Sequence, residues 1–132
     1  MKTVLFICVH NAGRSQMAEA FFNKLAKGEM KAYSAGSQPG DRVHPIVAEA
    51  MLEVGIDISR NHPRLLTQEI IDQAELAISM GCGESTACPA AFIPTRDWAL
   101  EDPKGKPIEE VRAIRDDIKH RVEELIAELK NK

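Results

Sequence analysis

The 132-residue sequence has only three cysteines, an odd number with no framework spacing, which argues against a secreted disulfide scaffold. No apolar run approaches the roughly 20 residues that a membrane-spanning helix requires. Positive charge is not in excess: 17 Lys and Arg are mixed with 20 Asp and Glu for a net charge of −3. The chain therefore has no basic footprint for nucleic acid, and any anion site must be local. No internal repeat, low-complexity tract or linker divides the sequence, so residues 1–132 are expected to form one domain with an ordinary core. The N-terminal "MKTVLFICVHN" has a lysine and a short apolar run but no small-residue cleavage site, and it reads as a core strand rather than a signal peptide. A cytoplasmic protein is expected. Nothing suggests obligate assembly, so a monomer is expected too.

Strand and helix signals alternate along the chain. "TVLFICV" is a continuous apolar run rich in β-branched residues, the signature of a strand buried on both faces of a parallel sheet. "SQMAEAFFNKLAKG" follows, with Met17, Phe21, Phe22 and Leu25 at helical spacing and Gly28 as a stop. "MKAYSAG" predicts a second strand, "HPIVAEAMLEVG" a helix with Pro45 in its first turn, and "TQEIIDQA" a short helix that Thr67 can cap. "ELAISM" predicts a third strand and "AFIPTRDW" a fourth, interrupted by Pro94. From about Pro107 to Leu129 a long helix carries Val111, Ile114, Ile118, Val122, Leu125 and Leu129 as one apolar stripe. The expected fold is α/β: a three-layer α/β/α arrangement whose four-stranded, mostly parallel sheet has helices on both faces. Ligands in such sheets bind at the carboxyl ends of the strands, where Cys8 and Cys82 would both lie.

"CVHNAGRS" joins the first strand to the first helix. It lacks the GxxxxGK[ST] pattern, yet a tight loop entering a helix points several backbone N–H groups at one spot, where the helix dipole adds positive potential. Val9, His10, Asn11, Ala12, Gly13, Arg14 and Ser15 are the candidate anion-binding residues. Arg14 supplies a guanidinium fork suited to a tetrahedral oxyanion. Asn11 and Gly13 tolerate the positive φ of a tight cradle. A thiol beside a helix N-terminus and an arginine favours its nucleophilic thiolate form, and Ser15 is placed to steady the sulfur of Cys8. Alone, C-x5-R also fits a buried strand cysteine followed by a surface arginine. Its position at a strand-to-helix junction favours the functional reading.

"CVHNAGRSQMAEA", "YSAG", "EVGIDIS", "CGESTACP" and "DWALEDP" together resemble the arsenate reductases built on the low-molecular-weight tyrosine phosphatase fold, over nearly the whole chain and in the family's order. The resemblance implies attack by Cys8 on arsenate held in the Cys8–Ser15 loop, with phosphate and sulfate as competing oxyanions. It points to Asp102, before Pro103, as the acid that protonates the leaving oxygen, with Asp97 and Glu101 as nearby competitors. It also implies a disulfide relay: Cys82 attacks Cys8 to release arsenite, then Cys88 attacks Cys82, and thioredoxin recycles the protein without a cofactor. A zinc reading of Cys82 and Cys88 lacks CxxC-type pairs and nearby histidines, and "GCGEST" is a poor core sequence.

Some positions depart from the family pattern. Cys82 and Cys88 are one residue closer than in thioredoxin-coupled relatives, and other members use glutathione and glutaredoxin. Asn11, Glu19 and Ser34 match three ligands of a potassium site found in some members, but Arg64 stands where a carboxylate would be, so no metal is expected. Gly13 replaces a cysteine common in relatives. His10, His62 and Arg64 read as loop residues. The alternative enzyme is a low-molecular-weight phosphotyrosine phosphatase using Cys8, Arg14 and Asp102; the residues after Asp102 are "PKGKP", without its aromatic wall, and weak phosphatase activity is expected as a side reaction. A phosphocarrier would lack Arg14, and a thiol sensor would not need Asp102.

Overall fold

Strand β1 (Lys2–Cys8) runs through the middle of the sheet because every residue from Val4 to Cys8 is apolar and buried. Its side chains alternate between two cores, as the period of two requires. Val4, Phe6 and Cys8 face one, while Leu5 and Ile7 face the other. The computed structural model describes residues 2–8, 10–80, 95–98, 100, 101, 103 and 105–131.

β1 pairs with β2 (Met30–Gly36) on one side and β3 (Leu76–Ser79) on the other, and β3 pairs with β4 (Thr95–Asp97). The strand order is β2-β1-β3-β4, and each of these pairings is parallel. Register puts Ile7 beside Ser79, Ser79 beside Asp97, and Cys8 beside Gly36, so the carboxyl ends of the strands meet along one edge. Cys82 and Cys88 lie outside the described residues.

Helices α1 (Arg14–Ala26), α2 (Pro45–Leu52) and α4 (Ile108–Lys130) fill the larger core with Met17, Phe21, Phe22, Val47, Met51, Ile118 and Val122. Phe6 meets Phe22 edge-on, with ring centroids 6.0 Å apart, and lies 5.7 Å from the ring of Trp98. Burying each of the two phenylalanine rings contributes roughly 1.5–3 kcal/mol. The short α3 (Gln68–Gln73) covers the other face through Ile71 and Ala74. Thr67 caps it, its side chain accepting from the Ile70 N–H at 3.2 Å. The α4 stripe from Val111 to Leu129 is buried as its spacing predicts. The stop of α1 differs slightly: Lys27 takes the left-handed conformation at φ 52° and Gly28 continues it at φ 85°.

Arg115 is a charged residue of α4 that the fold draws inward. Its side chain is 10% exposed, and Nη1 donates to the Ala50 carbonyl and to Glu53 Oε1, each at 2.9 Å. This joins α4 to the C-terminal turn of α2. Arg115→Ala is expected to lower the unfolding free energy by about 1.5–3 kcal/mol, the range for hydrogen bonds to charged groups. Arg112, a more exposed partner of Glu53, is expected to lose about 0–1 kcal/mol on the same change. Urea unfolding of both variants checks the contrast.

Candidate active site

The segment from His10 to Gly13 leads into the N-terminus of α1, and each of its carbonyls has a donor. Gly40 N–H donates to the His10 carbonyl and His44 N–H to the Ala12 carbonyl, both at 2.9 Å. Gln16 Nε2 donates to the Asn11 carbonyl at 3.1 Å, and Met17 N–H to the Gly13 carbonyl at 3.0 Å. A trans peptide sets its N–H opposite its carbonyl. Holding these carbonyls outward therefore turns the following N–H groups away from those donors, as an anion cradle requires. The Asn11 N–H does so visibly, donating to Cys8 Sγ at 3.2 Å.

Asn11 organises the loop. It is fully buried and adopts φ 51°, the positive value its sequence position predicts. Its Oδ1 accepts from the Arg64 backbone N–H at 2.8 Å and from Gln16 Nε2 at 3.1 Å. A backbone N–H can only donate, so this contact fixes which end of the amide is oxygen. Nδ2 then donates to Ser15 Oγ at 2.7 Å, and Ser15 Oγ lies 2.8 Å from Cys8 Sγ. While accepting from Asn11, Ser15 Oγ can still donate its hydroxyl proton to a Cys8 thiolate. Cys8 is only 3% exposed, so the thiol is held by its neighbours rather than by water.

Arg14 Nη1 donates to the Leu100 carbonyl at 2.7 Å, tying the first residue of α1 to the segment after β4. Gly13 corrects one expectation. Its φ is −144°, so it is not needed for a positive φ. A Cβ there would lie 3.1 Å from Pro103 Cγ and 3.6 Å from His44 Cδ2, so glycine permits close approach of both residues. Cys8, His10, Ala12, Gly13, Arg14 and His44 line the small cavity of the cradle. His10 is exposed, and its Nδ1 lies 2.9 Å from the Gln38 carbonyl. Sequence reasoning missed His44, whose only local signal was its place before Pro45 at the start of a helix.

Of the predicted site residues, Cys8, Asn11, Arg14 and Ser15 come together here, with His10, Ala12 and Gly13 completing the loop. Val9 and Asp102 lie outside the described residues. Both competitors of Asp102 have other partners: Asp97 accepts from Ser79 Oγ at 3.0 Å, and Glu101 pairs with Lys106 at 3.1 Å.

Asn11, Glu19 and Ser34 do not fit a potassium ion. Asn11 Oδ1 already has two donors, Ser34 Oγ donates to Glu19 Oε1 at 3.1 Å, and Arg64 Nη1 stands 3.5 Å from the same carboxylate oxygen. Among the described residues no group of three or more His, Cys, Asp or Glu side chains could hold a metal ion. Glu19 and Arg64 instead border a polar surface cavity of about 320 Å³ that also includes Gln16, Arg60, Asn61 and His62.

Burial raises the Glu19 pKa above its ordinary 4.5, against the opposing pull of Arg64 and the Ser34 hydrogen bond. The folded chain thus holds this proton more tightly than the unfolded one. That contribution to stability is fully present below pH 4.5 and is lost as pH rises through the folded value. Glu19→Gln removes the dependence, so the stability of the variant relative to the parent is expected to increase between about pH 4 and about pH 7. Guanidinium unfolding across that range measures it; a pH-independent difference would contradict the assignment.

Comparison with other proteins agrees with the fold. Residues 3–132 match the family pattern described as low molecular weight phosphotyrosine protein phosphatase. An arsenate reductase of Staphylococcus epidermidis is 39% identical over 92% of this chain and 94% of its own. A glutaredoxin arsenate reductase of Synechocystis is 39% identical over 98% and 99%. A solved arsenate reductase in a phosphate-binding state superposes with a TM-score of 0.87 at 40% identity, covering 97% of this chain and 98% of its own. A thioredoxin-dependent arsenate reductase of Corynebacterium glutamicum superposes at 0.82 with 38% identity, covering 98% of this chain and 62% of its own. The chain belongs to the low molecular weight phosphotyrosine protein phosphatase family, and to the arsenate reductases within it.

Proposed function

We propose that this chain reduces arsenate to arsenite by thiolate attack from Cys8, followed by a Cys8, Cys82 and Cys88 disulfide relay. The observation that carries the reading is the Cys8 sulfur, 2.8 Å from Ser15 Oγ and 3.2 Å from the Asn11 N–H, in a cavity that Arg14 also lines. Such donors suit a thiolate before attack and an oxyanion above it.

In the first step the Cys8 thiolate bonds to arsenic and a protonated oxygen departs as water. Asp102 is the proposed acid. Its neighbours support this, since Leu100 accepts from Arg14 and Pro103 approaches Gly13. In the second step Cys82 attacks the Cys8 sulfur. The S–S bond forms, and the electron pair of the arsenic–sulfur bond stays on arsenic as arsenite leaves. Cys88 then attacks Cys82, which frees the Cys8 thiolate and leaves a Cys82–Cys88 disulfide for an external dithiol to reduce.

The three cysteines in the sequence match the three positions of a thioredoxin-coupled relay, which makes thioredoxin the proposed reductant. The Corynebacterium relative is named as thioredoxin-dependent and the Synechocystis relative as a glutaredoxin enzyme, so glutathione with glutaredoxin is the alternative to test. A role in arsenical detoxification, by a cytoplasmic monomer, completes the proposal. No helix among the described residues is long and apolar enough to cross a membrane.

The test is arsenate-dependent NADPH oxidation with thioredoxin and thioredoxin reductase. Turnover is expected in the wild type and none in Cys8→Ser. Cys88→Ser is expected to release arsenite once per chain and then stop. Arg14→Ala is expected to lose about 100-fold or more in kcat/KM, the scale of a lost oxyanion donor. Turnover only with glutaredoxin and glutathione would reassign the reductant. Aryl phosphate hydrolysis faster than arsenate reduction would favour the phosphatase reading.

A further inference from the structure

One carbonyl of the cradle is held differently from its neighbours. Those of His10, Ala12 and Gly13 accept from the backbone N–H groups of Gly40, His44 and Met17, which no substitution other than proline removes. The Asn11 carbonyl accepts from a side chain, Gln16 Nε2 at 3.1 Å. A carbonyl oxygen can only accept, so this contact fixes which end of the Gln16 amide is nitrogen. Gln16 Oε1 then faces Asn61, whose Nδ2 donates to it at 3.3 Å. Gln16 is 2% exposed and belongs to the first turn of α1, so its reach to the loop is set by the helix.

The peptide that Gln16 holds joins Asn11 to Ala12. It is trans, so its N–H points opposite to the held carbonyl. Among the described residues the Ala12 N–H has no acceptor, although Ala12 is 2% exposed and lines the small cavity with Cys8 and Arg14. A buried donor without a partner is costly, and an anion in the cavity would relieve that cost. Turning this one peptide over would instead aim a carbonyl at the anion and repel it.

We infer that Gln16 is a positioning residue: it locks the Asn11–Ala12 peptide with the N–H toward the cradle and so sets how tightly arsenate and its tetrahedral analogues bind. The inference rests on the reading of the loop as an oxyanion site. Gln16 Nε2 also donates to Asn11 Oδ1 at 3.1 Å, but the Arg64 N–H holds the same oxygen at 2.8 Å. The Asn11 amide therefore keeps its orientation toward Ser15 when Gln16 is lost, and the effect falls on anion affinity rather than on the nucleophile.

The experiment titrates inorganic phosphate by calorimetry into the reduced full-length protein, for the wild type, Gln16→Met, Asn61→Ala and the double variant. It also measures KM and kcat for arsenate, the melting temperature and the NMR shift of the Ala12 amide proton on phosphate addition. Gln16→Met keeps the length of the side chain and removes the donor. It is expected to weaken phosphate binding and raise the arsenate KM by about tenfold, the effect of one hydrogen bond of ordinary strength, with kcat within about threefold. Asn61→Ala is expected to weaken phosphate binding about threefold alone and to add nothing in the Gln16→Met background. Phosphate is expected to move the Ala12 amide proton downfield in the wild type and less so in Gln16→Met. Unchanged phosphate affinity in Gln16→Met would overturn the inference. So would a weaker affinity with the Ala12 shift intact, which would mark a packing role. Should Gln16→Met not fold, Asn61→Ala decides, and unaltered affinity and Ala12 shift there would overturn the inference. Phosphate binding needs no turnover, so a wild type that binds phosphate but fails to reduce arsenate would sink the enzymatic reading while leaving this result standing.

Discussion

The side-chain amide of Asn11 is the constraint on which the site depends. It joins Ser15 on one side to the Arg64 backbone and Gln16 on the other, and it does so without exposure to water. Breaking it would leave several buried polar groups unsatisfied at once, which costs more than the bonds themselves contribute. The loop is therefore stiff before any anion arrives. A cradle that needs no reorganisation on binding can put its dipoles to use at the moment charge develops.

The sheet supplies what the loop cannot. β1 is buried on both faces, so the alternation of its side chains is not free to slip. Cys8 is the last residue of that strand, on the face of Val4 and Phe6, and its backbone is held by pairing with β2. The same face carries α1, whose first turn contributes Arg14, Ser15 and Gln16. Nucleophile and anion-binding groups are thus two consecutive pieces of one strand–loop–helix unit, and core packing on either side sets the distance between them.

Much of this was legible in the residues. The unbroken apolar run of β1, the α4 stripe and the Thr67 cap are local patterns with local causes, and each appears where its spacing puts it. The Cys8–Ser15 loop was legible for the same reason. What was not legible depends on contacts across the chain. The Arg64 backbone reaches Asn11 from 53 positions away. Arg115 looked like one charge among many on α4, and only the Ala50 carbonyl and Glu53 on another helix draw it inward. Gly13 was expected to serve the curvature of the loop, whereas its value lies in the space it leaves for Pro103 and His44. Cys82, Cys88 and Asp102 were read from the family resemblance and lie outside the described residues.

That space between Gly13 and Pro103 has a consequence for how such sequences can change. With only 3.1 Å available to an added carbon, a larger residue at position 13 requires the ring at position 103 to give by a few tenths of an ångström. The two positions are far apart in the chain, yet a change at one is felt at the other. A protein engineer importing a loop with a larger residue 13 into this scaffold would be testing how far the proline at the lip of the cradle can yield.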